Sequence, residues 1–176
     1  MLGLPFTVCP ANVDETVDPT LSPAETAAAI SRKKAFAVSA LPDAVVVAAD
    51  TVVTVDGAIL GKPTDPEDAV RMLRLLSGRT HSVYTGFTVL NGETAVTESV
   101  RTDVRFRPIS EEEIRAYVAT GEPMDKAGAY GIQGRASIFA EALCGDYYNV
   151  MGLPLCRLCE VLKDFGAAVF GTAAAR

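Results

Sequence analysis

The chain has 176 residues, of which 49% are hydrophobic and 22% charged, which predicts a single domain, residues 1–176, with a substantial core. Its net charge of -6 disfavours a nucleic-acid partner, although a few lysines in one pocket still suit a small anion. The apolar stretches are far shorter than the roughly 20 residues of a membrane span, and the N-terminus lacks signal-peptide features. We therefore expect a cytoplasmic protein with no membrane partner.

The first predicted elements are a helix and a strand. Ser22 and Glu25, with a proline directly after the serine, form a capping box that predicts a helix over residues 23–40. Residues 44–49 are uniformly apolar with three valines, which predicts a strand buried on both faces.

A hairpin follows in the same strand. The pattern continues over residues 51–55, turns at Asp56-Gly57 and returns over residues 58–60. Asp50 is therefore predicted to lie in the middle of a ribbon.

The middle of the chain predicts a second helix and a long hairpin. An aspartate cap begins the helix, which covers residues 65–76 and ends at a Ser-Gly pair. Strands over residues 80–90 and 93–106 are joined by Asn91-Gly92, a two-residue turn signal.

The last third begins with a helix and a glycine-rich loop. Ser110 and Glu113 form another capping box, and Gly121 ends the third helix. Residues 121–135 contain too many glycines for a regular element, and functional groups tend to gather on such loops.

The C-terminal region predicts a strand near residues 137–140, a helix over residues 154–165 and a frayed tail over residues 171–176. Together these elements predict an α/β fold with a mixed, largely antiparallel sheet.

The cysteines and the single histidine carry little functional signal. Of four cysteines only Cys156 and Cys159 have C-x-x-C spacing, and without a second pair or clustered histidines a zinc or thioredoxin-like site is disfavoured. We expect both to pack as small apolar side chains on a helix. His81 has no second histidine beside it, so we expect a surface or structural role.

Acidic and basic residues give a stronger signal. Asp50 follows six apolar strand residues, where a carboxylate is costly to bury unless it is paired, metal-bound or catalytic; the alternative is a turn-capping aspartate. Glu15 lies in an acidic loop and is a second candidate. Lys34, Lys62 and Lys126 are ordinary surface lysines unless they meet at one cleft, where such a set suits metal-assisted phosphate chemistry.

Motifs along most of the chain resemble the Maf family of nucleoside triphosphate pyrophosphatases. They are Ala-Ala-Asp50-Thr-Val-Val, Leu-Gly-Lys62-Pro, the run over residues 76–86, Thr102-Asp-Val-Arg-Phe, the run over residues 121–134 and Tyr148-Asn-Val-Met-Gly-Leu-Pro-Leu.

The resemblance implies an inosine triphosphate pyrophosphatase-like fold with an elongated sheet, flanking helices and a cleft between two lobes. It implies that Asp50 accepts a proton from the water that attacks the α-phosphate. Thr51 and Gln133 match positions linked to substrate choice. Glu15 and the three lysines match residues that line the triphosphate and metal site, with Glu15 and Asp50 as ligands of Mg²⁺ or Mn²⁺.

The sequence over residues 125–133 resembles the branch of the family that acts on dTTP and UTP rather than on 7-methyl-GTP. We therefore expect a hydrolase of dTTP and UTP, including modified pyrimidine nucleotides, that yields the monophosphate and pyrophosphate. The alternative is a nucleotide-binding or regulatory protein of cell division, of the septum-inhibitor type, with little turnover.

The resemblance has one departure at the N-terminus. Family members open with a strand, a Ser-Pro-Arg-Arg loop and a helix, whereas Met1-Leu-Gly-Leu-Pro-Phe resembles the stretch after that helix. Such a loop offers donors to phosphate oxygens, and loss of one preorganised donor typically costs about 10² to 10³ in rate. We expect lower activity, with either lower stability or a compensating homodimer contact at an unpaired sheet edge.

Overall fold

A computed structural model describes residues 2–38 and 44–167 of the chain. Its α-helices are α1 (Pro23–Ala37), α2 (Pro66–Leu76), α3 (Glu111–Val118), α4 (Tyr147–Val150) and α5 (Leu155–Asp164). Its strands are β1 (Val46–Val55), β2 (Ala58–Leu60), β3 (Thr80–Asn91), β4 (Thr94–Phe106) and β5 (Ala140–Cys144). Short 3₁₀ helices at Glu122–Asp125, Ala127–Ala129 and Arg135–Phe139 connect α3 to β5.

The strands form one sheet in the order β2-β1-β3-β4-β5. Helices flank this sheet, so the predicted α/β class is confirmed. Within the described residues every neighbouring pair is antiparallel, where a mixed sheet was predicted. Strands β1 and β3 pair continuously from Val46 opposite Leu90 to Thr54 opposite Ser82. None of the helices in residues 2–38 and 44–167 combines the length and apolar character needed to span a membrane.

The helices begin where their caps predict. The Ser22 backbone N–H donates to Glu25 Oε2 at 2.9 Å, and the Glu25 N–H donates back to Ser22 Oγ at 3.3 Å. Ser110 and Glu113 repeat this reciprocal pair at the start of α3. The predicted end of the first helix at residue 40 and the predicted tail over residues 171–176 lie outside the described residues.

Helix α1 packs directly on the backbone of β3. A Cβ atom added at Gly86 would lie 2.2 Å from the carbonyl carbon of Ala27, a separation that no side chain can occupy. One turn further along α1, Ser31 Oγ and Thr88 Oγ1 are hydrogen bonded at 3.0 Å in the interior. These contacts set the position of the last turn of α1, which carries Lys34.

Two apolar clusters hold the remaining elements on the sheet. The larger cluster packs α2, α3 and the 3₁₀ helices around residues such as Leu73, Phe106 and Phe139. The smaller one packs α5 against the centre of β3, with Phe87 and Leu158 in its interior. A cleft lies beside the larger cluster, next to the loops that connect the elements of that cluster.

The strand predicted over residues 44–49 forms only in part and is not buried on both faces. Strand β1 begins at Val46, and Val47 keeps 39% of its surface exposed, whereas Val53 and Val55 further along are buried. The apolar run alone does not predict which half of the strand is buried. Burial depends on packing by the larger cluster, which covers only the second half of β1.

Two other boundaries in the β regions differ from the prediction. The long hairpin turns at Gly92-Glu93 rather than at Asn91-Gly92, because Asn91 still pairs with Thr94. The strand predicted near residues 137–140 is mostly the 3₁₀ helix Arg135–Phe139, and β5 runs on from Ala140.

The predicted packing of the cysteines is wrong for one of them. Cys156 is exposed on α5, and Cys159 is half-buried. His81 has the structural role that was one of its two predicted roles, since it is 2% exposed and its Nε2 is hydrogen bonded to the Tyr130 hydroxyl at 2.8 Å.

Candidate functional site

A cleft of about 370 Å³ lies between β1, the loop after β2, the 3₁₀ segments and the loop after α4. Five of the seven site residues predicted from the sequence line it: Asp50, Thr51, Lys62, Lys126 and Gln133. The cleft is therefore mixed in character, with charged side chains from three loops and strands beside uncharged ones. Its volume falls within the range of ligand pockets in proteins.

The two remaining predicted residues, Glu15 and Lys34, reach the site through Asp50. The Lys34 ammonium lies 2.7 Å from Asp50 Oδ1 and 2.8 Å from Glu15 Oε1. The Asp50 side chain is 14% exposed and that of Lys34 is 21% exposed, whereas Glu15 is 55% exposed. One cation thus joins two carboxylates that are 35 positions apart in the sequence, and Asp50 is a paired strand carboxylate rather than a turn cap.

Burial changes the pKa values of Asp50 and Lys34. Burial raises the pKa of Asp50 above its ordinary value, although the hydrogen bond and charge of Lys34 act in the opposite direction. Burial also lowers the pKa of Lys34, but its hydrogen bonds to Asp50 and Glu15 outweigh this effect, and the net pKa is raised. Asp50 is thus a stronger base than an exposed carboxylate, next to a lysine that stays protonated.

The irregular N-terminal segment holds Glu15 against α1. The neighbouring lysine of α1, Lys33, donates from its Nζ to the backbone carbonyls of Asp14 at 3.3 Å and Thr16 at 2.5 Å. Glu15 lies between those two carbonyls in the chain. Two successive lysines of one helix therefore fix this loop, one through its backbone and one through its carboxylate.

Thr51 lies on the other face of β1 from Asp50. Consecutive strand residues project from opposite faces, and their contacts agree: Asp50 meets α1, whereas Thr51 Oγ1 is hydrogen bonded to Thr85 Oγ1 of β3 at 2.8 Å. Gly152, after α4, lies near the Thr51 hydroxyl, since a Cβ added there would be 3.6 Å from Thr51 Oγ1.

The loop that carries Gln133 is held by the half-buried carboxylate of Glu122. Glu122 accepts from the backbone N–H of Arg135 at 3.0 Å and from the Tyr117 hydroxyl at 3.1 Å. A Cβ added at Gly134 would lie 2.0 Å from Glu122 Oε1. Glycine is therefore required there for the carboxylate to reach the backbone beside Gln133.

The same glycine-rich segment positions Lys126. A Cβ added at Gly131 would lie 2.8 Å from Lys126 Cε, so the lysine stem lies flat across the glycine. Its ammonium contacts the neighbouring Asp125 at 2.7 Å. This explains in physical terms why a lysine set among glycines lines the cleft.

Sequence reasoning missed several lining residues. Asp125, Ile132, Met151 and Gly152 also face the cleft. Met151 and Gly152 belong to the motif that begins at Tyr148, but nothing in the residue pattern by itself assigned them to the site. The residues that hold these lining segments, such as Glu122, were also missed, because they act on the cleft only through another residue.

The carboxylate oxygens of Asp50 and Glu15 suit a hard divalent cation that also binds phosphate oxygens of the substrate. Asp50 and Glu15 present carboxylate oxygens to one positive group, and Mg²⁺ is commonly bound by one or two carboxylates together with phosphate oxygens. In the part of the chain that the structure describes, no three or more His, Cys, Asp or Glu residues lie close enough together to hold a metal ion. A cation held by Glu15 and Asp50 would have coordination positions left for the oxygens of a bound triphosphate.

Comparison with known proteins adds a family match and similar sequences. The family described as Maf-like protein matches residues 1–165. A dTTP/UTP pyrophosphatase of Moorella thermoacetica is 52% identical over 174 residues, covering 97% of this chain and 89% of the relative. Proteins of the same name from Symbiobacterium thermophilum and Bacillus cytotoxicus are 50% and 48% identical, covering 96% and 94% of this chain and 88% and 87% of the relatives.

Proposed function

Because the chain belongs to the Maf-like protein family, we propose that it is a pyrophosphatase that hydrolyses dTTP and UTP to the monophosphate and pyrophosphate. The observation that carries this proposal is the half-buried Asp50–Lys34 pair at a cleft that also contains Lys62 and Lys126. The names of relatives at about 50% identity support the choice of substrate.

The lysines bind the triphosphate in this proposal. Lys62 and Lys126 come from two separate loops and meet at the cleft, and Lys34 adds a third positive charge beside Asp50. A triphosphate brings several negative charges, and more charge develops on pyrophosphate as it leaves. Positive groups fixed before the reaction stabilise that charge without reorganisation.

Asp50 acts as the general base. It accepts a proton from a water molecule, whose oxygen forms a bond to the α-phosphorus while the bond from that phosphorus to the bridging oxygen of pyrophosphate breaks. A raised pKa makes the carboxylate a better proton acceptor near neutral pH. Lys34 holds the carboxylate in place and keeps it ionised.

Glu15 and Asp50 would hold the divalent cation, Mg²⁺ or Mn²⁺, together with phosphate oxygens. When bound, such an ion neutralises phosphate charge and makes the α-phosphorus more open to attack. Two carboxylates joined through Lys34 are a suitable hard-donor pair for this ion.

Thr51 and Gln133 contact the nucleobase. The uncharged residues that line the cleft, which include Ile132, Met151 and Gly152, suit a flat, neutral ring better than a phosphate chain. We expect the protein to act on the cytoplasmic nucleotide pool, and a homodimer stays a prediction.

The test is product analysis with dTTP, UTP, CTP and 7-methyl-GTP in Mg²⁺ or Mn²⁺. We expect monophosphate and pyrophosphate from dTTP and UTP, and a loss of at least about 10²-fold in kcat for Asp50→Asn, typical for removal of a general base. Asp56→Asn is the matched control, because Asp56 lies on the same hairpin but contacts Arg79 at the surface. If the unmodified chain shows no turnover, an N-terminal Ser-Pro-Arg-Arg segment is added. Recovered turnover would keep the proposal, and continued absence of turnover would favour the regulatory alternative.

A further inference from the structure

The Thr51 hydroxyl is the end of a short chain of hydrogen bonds that runs into the interior. Thr51 Oγ1 lies 2.8 Å from Thr85 Oγ1, and Thr85 Oγ1 lies 2.7 Å from the backbone carbonyl oxygen of Asn149. Thr85 and Asn149 have no exposed surface. Water therefore does not compete for the inner bonds of this chain.

The direction of each bond follows from hydroxyl chemistry. A carbonyl oxygen can only accept, so the single hydroxyl proton of Thr85 is donated to Asn149. With that proton in use, Thr85 can only accept from Thr51. The Thr51 hydroxyl must donate its proton inward, and its lone pairs are the only hydrogen-bonding capacity that it has left for the cleft.

The carbonyl that fixes this direction is itself held firmly. The Asn149 side-chain Nδ2 donates to the Val83 carbonyl and to Thr102 Oγ1, both at 3.1 Å. The Gly152 backbone N–H donates to the same Asn149 carbonyl at 3.0 Å. The acceptor of the Thr85 proton is thus tied to β3, to β4 and to the loop that lines the cleft.

We propose that Thr85 is a positioning residue that presents Thr51 to the cleft as a hydrogen-bond acceptor, and so selects a base with a donor at N3. Uracil and thymine carry N3–H, whereas N3 of cytosine is an acceptor and would face the lone pairs of Thr51. This inference rests on the proposed function, because it assumes a pyrimidine nucleotide in the cleft.

The position of the base follows from the division of charge in the cleft. Asp50, Lys62 and Lys126 are charged and suit the triphosphate, whereas Thr51 lies next to Thr85 and Gly152, which carry no charge. The strand also separates the two functions, since Asp50 contacts α1 on one face and Thr51 lies near Gly152, after α4, on the other. A nucleotide with its phosphates at the lysines therefore brings its base to Thr51.

The experiment measures binding rather than turnover, with the non-hydrolysable α,β-imido analogues of UTP and CTP in titration calorimetry. Thr85→Val removes the inner acceptor and frees the Thr51 proton to turn toward the cleft. We expect the preference for the UTP analogue over the CTP analogue to fall about tenfold, the scale of one mispaired hydrogen bond. Thr85→Ser keeps the hydroxyl and should keep the preference.

Thr88→Val is the matched control, because Thr88 is equally buried on β3 but bonds to Ser31 and Thr97, away from the cleft. If Thr85→Val does not melt cooperatively, Thr85→Ala replaces it. An equal loss of affinity for both analogues, an unchanged preference, or no preference in the unmodified protein would overturn the inference. A fall in preference without hydrolysis of UTP by the unmodified protein would support the inference and contradict the proposed function alone.

Discussion

Replacement of Gly86 by alanine should separate α1 from the sheet and disturb the site at a distance. The added Cβ would lie 2.2 Å from Ala27 C, where ordinary contact begins at 3.4 Å, so the two backbones must move apart by about 1.2 Å. Overpacking of this kind typically costs about 1–3 kcal/mol. In a chain of this size that corresponds to a fall in melting temperature of roughly 3–10 °C.

The same shift acts on the Lys34–Asp50 contact, which is 2.7 Å long and belongs to the helix that must move. A displacement of about 1.2 Å would take it beyond hydrogen-bonding distance, and misplacement of a catalytic contact by about 1 Å can cost roughly 10²-fold in rate. We expect Gly86→Ala to lower both the melting temperature and kcat/KM for UTP.

Thermal melts and steady-state kinetics measure these effects, with Gly61→Ala as the control for stability. A Cβ at Gly61 meets nothing within 4 Å, and its backbone is not in the left-handed region. A Gly86→Ala protein that melts within about 1 °C of the unmodified protein, with equal activity, would refute the packing argument.

Two further predictions concern titratable groups. Lys34→Met removes the cation that lowers the pKa of Asp50 against the effect of burial, so the acidic limb of the pH–rate profile should move to higher pH; Lys163→Met, the same change of charge on α5, should not move it. Burial lowers the pKa of His81 to about 4, so between pH 6.5 and about 4 the unfolded chain binds a proton that the folded chain excludes. Stability should fall by up to about 3 kcal/mol as the pH drops through this window. Urea denaturation at pH 7 and pH 4.5 should show a smaller loss for His81→Gln, and equal losses would argue against this role of His81.

Helix starts were predictable because their signals are local. Ser22 and Glu25, and likewise Ser110 and Glu113, satisfy backbone groups within one turn, and no distant residue has to cooperate. The pairing of Asp50 was predictable for a related reason, because a carboxylate that follows an apolar strand segment is costly to bury without a partner.

The misassigned segment before β5 shows what local patterns leave out. Ala136 and Phe139 are buried, whereas Ile138 is 65% exposed. Buried positions three apart match the three residues per turn of a 3₁₀ helix rather than the two-residue period of a strand. Only the packing of Phe139 against neighbouring rings reveals which period applies.

The supports of the site could not be predicted from the sequence for a further reason. Thr85 and Asn149 are 64 positions apart and meet only because α4 is packed on β3. Each is an ordinary polar residue in its own segment, so its role depends on a long-range contact. The metal-site residues, the base-contacting residues and the homodimer stay predictions for experiment.

The placement of Asp50 and Thr51 on opposite faces of one strand has a practical consequence for protein engineering. A library restricted to Thr51 and Gln133 leaves α1 and the Lys34–Asp50 pair unchanged. Altered nucleotide preference and retained catalytic rate can then be selected in the same experiment. Two neighbours in the sequence can thus be varied separately, because their side chains project from opposite faces of β1 and contact different partners.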